Sequence, residues 1–389
     1  MKIIHLIICF TLISCGRTEL KKEITFIDPR EFELGDIKIS EFAHSIDYIP
    51  LSTKKMMSFI NTFFIGGDKI FIATGGGSAQ ICVFDINGEY LNDIGKKGRG
   101  PGEYRYAFMF TIDNEGQRVF VYDSDKILVY AYNGKFLYDF KIPVEQSRFT
   151  EIKYLDGKIY LFGSIDFGHS HFNWIITDTV GNIYSSRLNH IPPFKSQNGF
   201  SLQHVFELNN SFGYWNFFND TIYNVSIDTF SVRYLFATGD FRVTPEVVDN
   251  SEYFFRKCWR PHTISESARF LFIRYFMSGK TGFALLDKKR TNIFKSKEIE
   301  IKGHMDNTTG FINDIDGGLP LADVNYHSEN GNEHLIGWFF PYELKSHIAS
   351  DAFKHSTPKY PEKKRELERL AKSLGENDNP VLMIVKLKE

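Results

Sequence analysis

The chain has 389 residues, 46 Lys and Arg against 48 Asp and Glu (net −2), and 16% aromatic residues, including 38 Phe and 19 Tyr. That length holds two domains or one large all-β domain, and the absence of a basic stripe removes the electrostatic case for a nucleic-acid partner. Phe and Tyr suit half-buried pleated surfaces, so the composition leans towards strands.

The first segment reads as a processing signal. One Lys precedes the apolar stretch from Ile3 to Ile13, and the stretch ends in Leu12-Ile13-Ser14-Cys15. A secretory apolar region of this kind is expected to be removed. The ending resembles the lipobox of bacterial lipoprotein signal peptides, which implies residues 1–14 as signal and a diacylglycerol on the Cys15 sulfur. An ordinary signal peptide with an incidental Cys15 is the other reading. An acyl anchor holds a protein on a membrane face without crossing it, and no later apolar run nears the ~18 residues a spanning helix needs. Residues 15–36 are expected to be lipidated Cys and tether, and residues 37–389 one folded domain. Of the remaining cysteines, Cys82 lies in "AQICVFDI" and reads as a buried small apolar residue. No CxxC or zinc-ligand spacing is present, and no metal or other cofactor is expected.

"HSIDYIPLST" follows, a strand with no local partner. Repeats then dominate. "VFDINGEYL" from Val83 and "VYAYNGKFL" from Val129 align at an offset of 46, and "ITDTVGNIY" from Ile176 follows 47 residues on. Each is a hairpin with Gly second in its turn. Asn-Gly supplies the positive φ of a type I′ turn, whose twist matches paired strands. A further strand precedes each hairpin: "DKIFIAT", "QRVFVYD" and "GKIYLFG". Four strands recurring every ~40–50 residues are the signature of a propeller blade. Weaker copies at "NDTIYNV", "GFALLDKKRTNIF" and "EHLIGWFF" bring the expected number to six. An open sandwich is the alternative, and it makes the regular spacing accidental.

Between the first two hairpins lies "IGKKGRGPGEYRYAF", residues 94–108. A phosphate loop needs a strand before it and a helix after it. Here the following residues alternate as a strand, and neither GK[ST] nor GxGxxG spacing is present. The glycines and Pro101 instead suit a tight crossing between blades. Near the C-terminus "PEKKRELERLAKSLG" from Pro361 predicts a short helix, with Leu367, Leu370 and Leu374 on one face. "VLMIVKLK" is a final strand, expected to pair with "HSIDYIPLST" and close the ring.

"GKKGRGPGEY" at this place, the Asn-Gly hairpins and the terminal "ENDNPVLMIVKLK" together resemble the six-bladed β-propeller lipoproteins common in Bacteroidetes, related in style to NHL-repeat propellers. The resemblance implies the expected fold, an all-β, six-bladed β-propeller of four-stranded antiparallel blades. It also implies a place in the cell envelope, with the outer membrane as the expected site of anchoring. It implies little about chemistry.

Propeller ligands gather where loops of several blades converge, so the candidate residues lie far apart in sequence. Arg99, Glu103, Tyr104 and Arg105 form the first group, with an inter-blade turn holding a local ion pair as the competing explanation. His169 and His171 alternate in "FGHSHFNWII" and would share one face of a strand, though no acidic or Cys partner is spaced to complete a metal site. "YFFRKCWRPH", residues 253–262, reads as a loop carrying Arg256, Trp259 and Arg260, side chains suited to a sugar face or an anion. Asp314 and Asp316 beside two glycines read as a turn, because the oxygen ligands of a calcium loop are too few. GxSxG and HExxH are absent, whereas carboxylates paired from separate blades leave no local signature. Two functions follow: an envelope propeller binding a glycan, peptide or protein partner, or a hydrolase or lyase working at the channel mouth.

Overall fold

Each expected hairpin is the outer half of a four-stranded sheet. The computed structural model describes residues 24–75, 79–144, 149–163, 170–194, 203–208, 210–290, 294–300, 309–329 and 331–389. Cys15 and His169 lie outside the described residues. In the first blade Ile60–Gly66, Lys69–Thr74, Ile81–Asp85 and Tyr90–Ile94 pair antiparallel in chain order. Four further blades repeat the pattern from inner strands Phe110–Asp113, Phe149–Leu155, Gln203–Leu208 and Arg260–Glu266. With one more blade, the described residues form a six-bladed propeller.

Burial explains why the middle strands read as continuous apolar runs. Ile70 to Thr74 are buried without interruption, because neighbouring blades cover both faces of the sheet. Phe71 and Val83 of the first blade share one apolar cluster with Phe110, Val119 and Leu128 of the second. Phe136–Lys141, an outer strand, instead alternates half-buried and exposed residues. Cys82 is fully buried as expected.

The sixth blade closes the ring. Its strands are Asn325–Glu329, Asn332–Phe339, Val381–Leu387 and, outermost, Ala43–Pro50. The last two pair antiparallel from Val381↔Pro50 to Leu387↔Ala43, as expected. Side chains lock this seam. Tyr48 donates to Asp316 Oδ2 at 2.9 Å, and buried Asn379 donates to the carbonyls of Ser52 and Lys55 while accepting from Met57 N. The Asp314–Asp316 turn is therefore a structural fastening.

The repeated turn glycine has a second cause besides its positive φ. Gly134 has φ +84°, and a Cβ there would sit 2.3 Å from the Asp93 carbonyl on the outer strand of the preceding blade. Gly88 and Gly181 meet the Pro50 and Lys141 carbonyls of their preceding blades in the same way. We expect Gly134→Ala to lower stability by about 2–3 kcal/mol, combining left-handed strain with a backbone clash. Urea unfolding checks this, and an unchanged midpoint would remove the close-approach explanation.

Two features depart from expectation. Residues assigned to the tether are already docked at Thr25. Thr25–Ile27 adds in parallel to the outer strand Phe230–Phe236 of the fourth blade, and Glu33–Leu34 adds to Phe294–Glu300 of the fifth. Those edges have free N–H and C=O groups, Ile27 is fully buried, and Phe32 stacks on Phe294 at 4.8 Å. Second, the expected helix Pro361–Ser373 is preceded by two more, Pro341–Ala349 and Asp351–His355. Leu344, Phe353 and Leu367 from the three pack with Phe339 and Val381 of the sixth blade.

Candidate functional site in the central channel

Six inner strands wall a channel of about 1400 Å³. Each inner strand presents its edge to the lumen, so side chains from both of its faces reach the lining, as the consecutive residues Ile60 to Ile65 of the first blade do. Aromatic rings such as Phe63, Phe276 and Trp338 line the wall, and ionisable groups are set among them.

Burial governs those groups. It pushes the Glu151 carboxyl up, with Lys153 offsetting only part of the effect. His204 is driven down to about 4 by burial, and its Nε2 donates to the Ile264 carbonyl at 2.9 Å. His327 stacks on His334 with centroids 6.4 Å apart, and both are held below the ordinary imidazole value by burial. These three rings are therefore neutral at pH 7.

Arg260, the first residue of its inner strand, stands at the end where the chain enters the channel wall. It is only 8% exposed, and its guanidinium carbon lies 4.6, 4.8 and 5.6 Å from the ring centroids of Phe254, Phe255 and Phe276. Its Nε is buried without a hydrogen-bond partner, and desolvation pulls its pKa down to about 10. Beside it, Arg274 donates from Nη1 to Asp323 at 2.7 Å and leaves its own Nε unpartnered. His262 packs on Phe276 at 5.2 Å. Burial, then Arg274, lowers its pKa, against the pull of Asp323.

The other expected site residues lie elsewhere. Glu103 folds onto its own loop, accepting from Gly100 N at 2.8 Å and pairing with Lys96 at 3.0 Å. Tyr104 is fully buried and donates to the Ile94 carbonyl, while Tyr130 of the next blade donates to the Gly102 carbonyl. Arg105 pairs with Asp123, and Arg99 is exposed. This loop is an inter-blade clamp away from the channel lining. His171 is exposed against Phe172. Arg256 is exposed on the helix Ser251–Arg256, where a loop was expected; Asn250 caps that helix by accepting from Tyr253 N. Trp259 is buried between blades, edge-on to Phe236 at 4.7 Å. Of the expected residues in the described structure, the channel lining includes Arg260 alone.

A family model described as "Domain of unknown function (DUF4934)" matches residues 24–386. The chain belongs to the DUF4934 family. This DUF4934 chain resembles a Bacteroides fragilis NCTC 9343 protein designated "Putative exported protein", with 20% identity, a TM-score of 0.68, and coverage of 94% of this chain and 100% of that one. That likeness concerns the fold. The WD40 repeats of RRP9 align over 88% of this chain and 98% of theirs, at 11% identity and a TM-score of 0.44. No curated protein matches the sequence.

Proposed function

We propose that the protein is an exported, lipid-anchored envelope propeller that binds a ligand in its central channel. The observation that carries this reading is the channel itself, whose size suits a small organic or oligomeric ligand and whose wall sets aromatic rings among many polar and acidic side chains. Two supports come from outside the channel: the Cys15 motif and the exported designation of the Bacteroides fragilis neighbour. A glycan, a peptide or an envelope protein segment are the classes of partner considered. Because the chain docks from Thr25 onward, the nine residues between Cys15 and Thr25 allow the anchor a reach of at most about 35 Å. The outer edges of the fourth and fifth blades would then face the membrane.

Cys15→Ala is expected to move the protein from the membrane fraction to the soluble fraction of the envelope. Retention of that variant on membranes would remove the anchor. For the channel, a rise in melting temperature on adding members of a glycan and peptide panel is the expected result, without turnover of any of them. The alternative of an envelope hydrolase or lyase draws on Glu151, whose raised pKa suits a proton donor. Turnover abolished by Glu151→Gln would establish that reading instead.

A further inference from the structure

We propose that Arg260 anchors the carboxylate of a small organic anion at the entry mouth of the channel, with the apolar part of that ligand against Phe255 and Phe276. This deepens the channel-binding reading above and rests on it.

The geometry leaves Arg260 half satisfied. A ring stacked on a guanidinium covers its faces, whereas its N–H groups point outward in the plane. No described residue accepts a hydrogen bond from Arg260, though the side chain is more than nine-tenths buried and lines the channel. Its Nε is sealed off, which leaves the terminal Nη groups to meet an acceptor from the lumen. A buried charge without a partner is costly, so a site built this way gains when an anion enters.

Charge counting selects the anion. Arg274 is already neutralised by Asp323 at 2.7 Å. Glu300 on the same rim is exposed and forms no ion pair with Arg260. His262 is held neutral among Arg260, Arg274 and Asp323, with the neutral His204 beyond it. Among these rim groups one uncompensated positive charge remains, on Arg260, which matches a monoanion. The rest of the lining carries Lys153 and the carboxyl groups of Asp113, Glu115, Glu151, Asp156, Glu207 and Glu329. A planar carboxylate accepts two parallel N–H bonds from the guanidinium fork, whereas a phosphate dianion would bring surplus charge among phenyl rings.

Benzoate is the probe, with benzamide as its neutral isostere and inorganic phosphate as the non-planar anion, each titrated calorimetrically into the folded protein. Benzoate should bind with a dissociation constant on the order of 1 mM, at least tenfold more tightly than benzamide or phosphate. Arg260→Gln should weaken benzoate at least tenfold, and Arg260→Lys, which keeps charge but loses the fork, should fall between. Melting curves establish that each variant is folded; if Arg260→Gln does not fold, the Lys variant carries the test. Failure of benzoate to bind, equal binding by benzamide, tighter binding of phosphate, or variants that bind benzoate as well as the parent would each overturn the proposal. A neutral glycan that stabilises parent and Arg260→Gln alike would sink the carboxylate site while leaving the channel-binding reading in place.

Discussion

Removal of residues 381–389 should abolish folding. Val381, Leu382 and Val385 are fully buried, and Met383 and Leu387 are nearly so. At about 1.5–3 kcal/mol for each such side chain, their loss amounts to roughly 10 kcal/mol, close to the whole stability of an ordinary domain. The strand is also the third of its blade, so removing it parts Ala43–Pro50 from Asn332–Phe339 and opens the ring. Asn379, just ahead of the cut, would lose the geometry that holds Ser52, Lys55 and Met57. The shortened chain is expected in the insoluble fraction, or without a cooperative melt. A chain beginning at Ile24 retains every pairing described above and should melt like the parent. Cooperative unfolding of the C-terminally shortened chain within a few degrees of the parent would show that the ring does not depend on this seam.

That seam was legible because "HSIDYIPLST" and "VLMIVKLK" were strands with no neighbour to pair with, and a ring supplies one. The blades were legible for a local reason too: Asn87-Gly88 and Asn133-Gly134 fix the hairpin, and the Gly is fixed again by contact with the preceding blade. The features that the sequence does not display are non-local or brief. Strands as short as Thr25–Ile27 and Glu33–Leu34 have no room for a periodic pattern, and their partners lie some 200 residues away or more. The helices Pro341–Ala349 and Asp351–His355 did carry signals. Pro341 opens the first, Glu343 accepts from Phe340 N, and Ser350 caps the second. The weak repeat read at "EHLIGWFF" stops at Phe340, one residue before the first of them begins. The channel site was the least legible part, since Glu151, His204, Arg260 and His327 come from four different inner strands. Basic and aromatic residues clustered at 253–262 did mark Arg260, although Arg256 and Trp259 beside it turn to solvent and core.

The second large effect is expected at Glu266, where the fourth and fifth blades meet. Its carboxylate is 2% exposed and takes two hydrogen bonds from Arg233, at 2.7 and 2.5 Å, one from Lys288 at 2.8 Å and one from the Tyr234 hydroxyl at 2.8 Å. Glu266→Ala would leave Arg233 and Lys288, 24% and 26% exposed, without the carboxylate they share, and removal of one partner from such a buried group costs about 3–5 kcal/mol. Substitution by Gln keeps the shape and isolates the charge. Burial raises the pKa of Glu266, but Arg233 and Lys288 outweigh it, so the folded value lies below the ordinary one. A carboxylate depressed in this way contributes its stabilisation above the unfolded pKa of about 4.3 and loses it as pH falls through the folded value. The stability gap between parent and Glu266→Gln, read from urea midpoints, should therefore be full at pH 7 and narrow below about pH 4.3. A gap that stays constant down to pH 3 would mean that the ionised carboxylate does not hold the two blades together, and that packing around Tyr234 does.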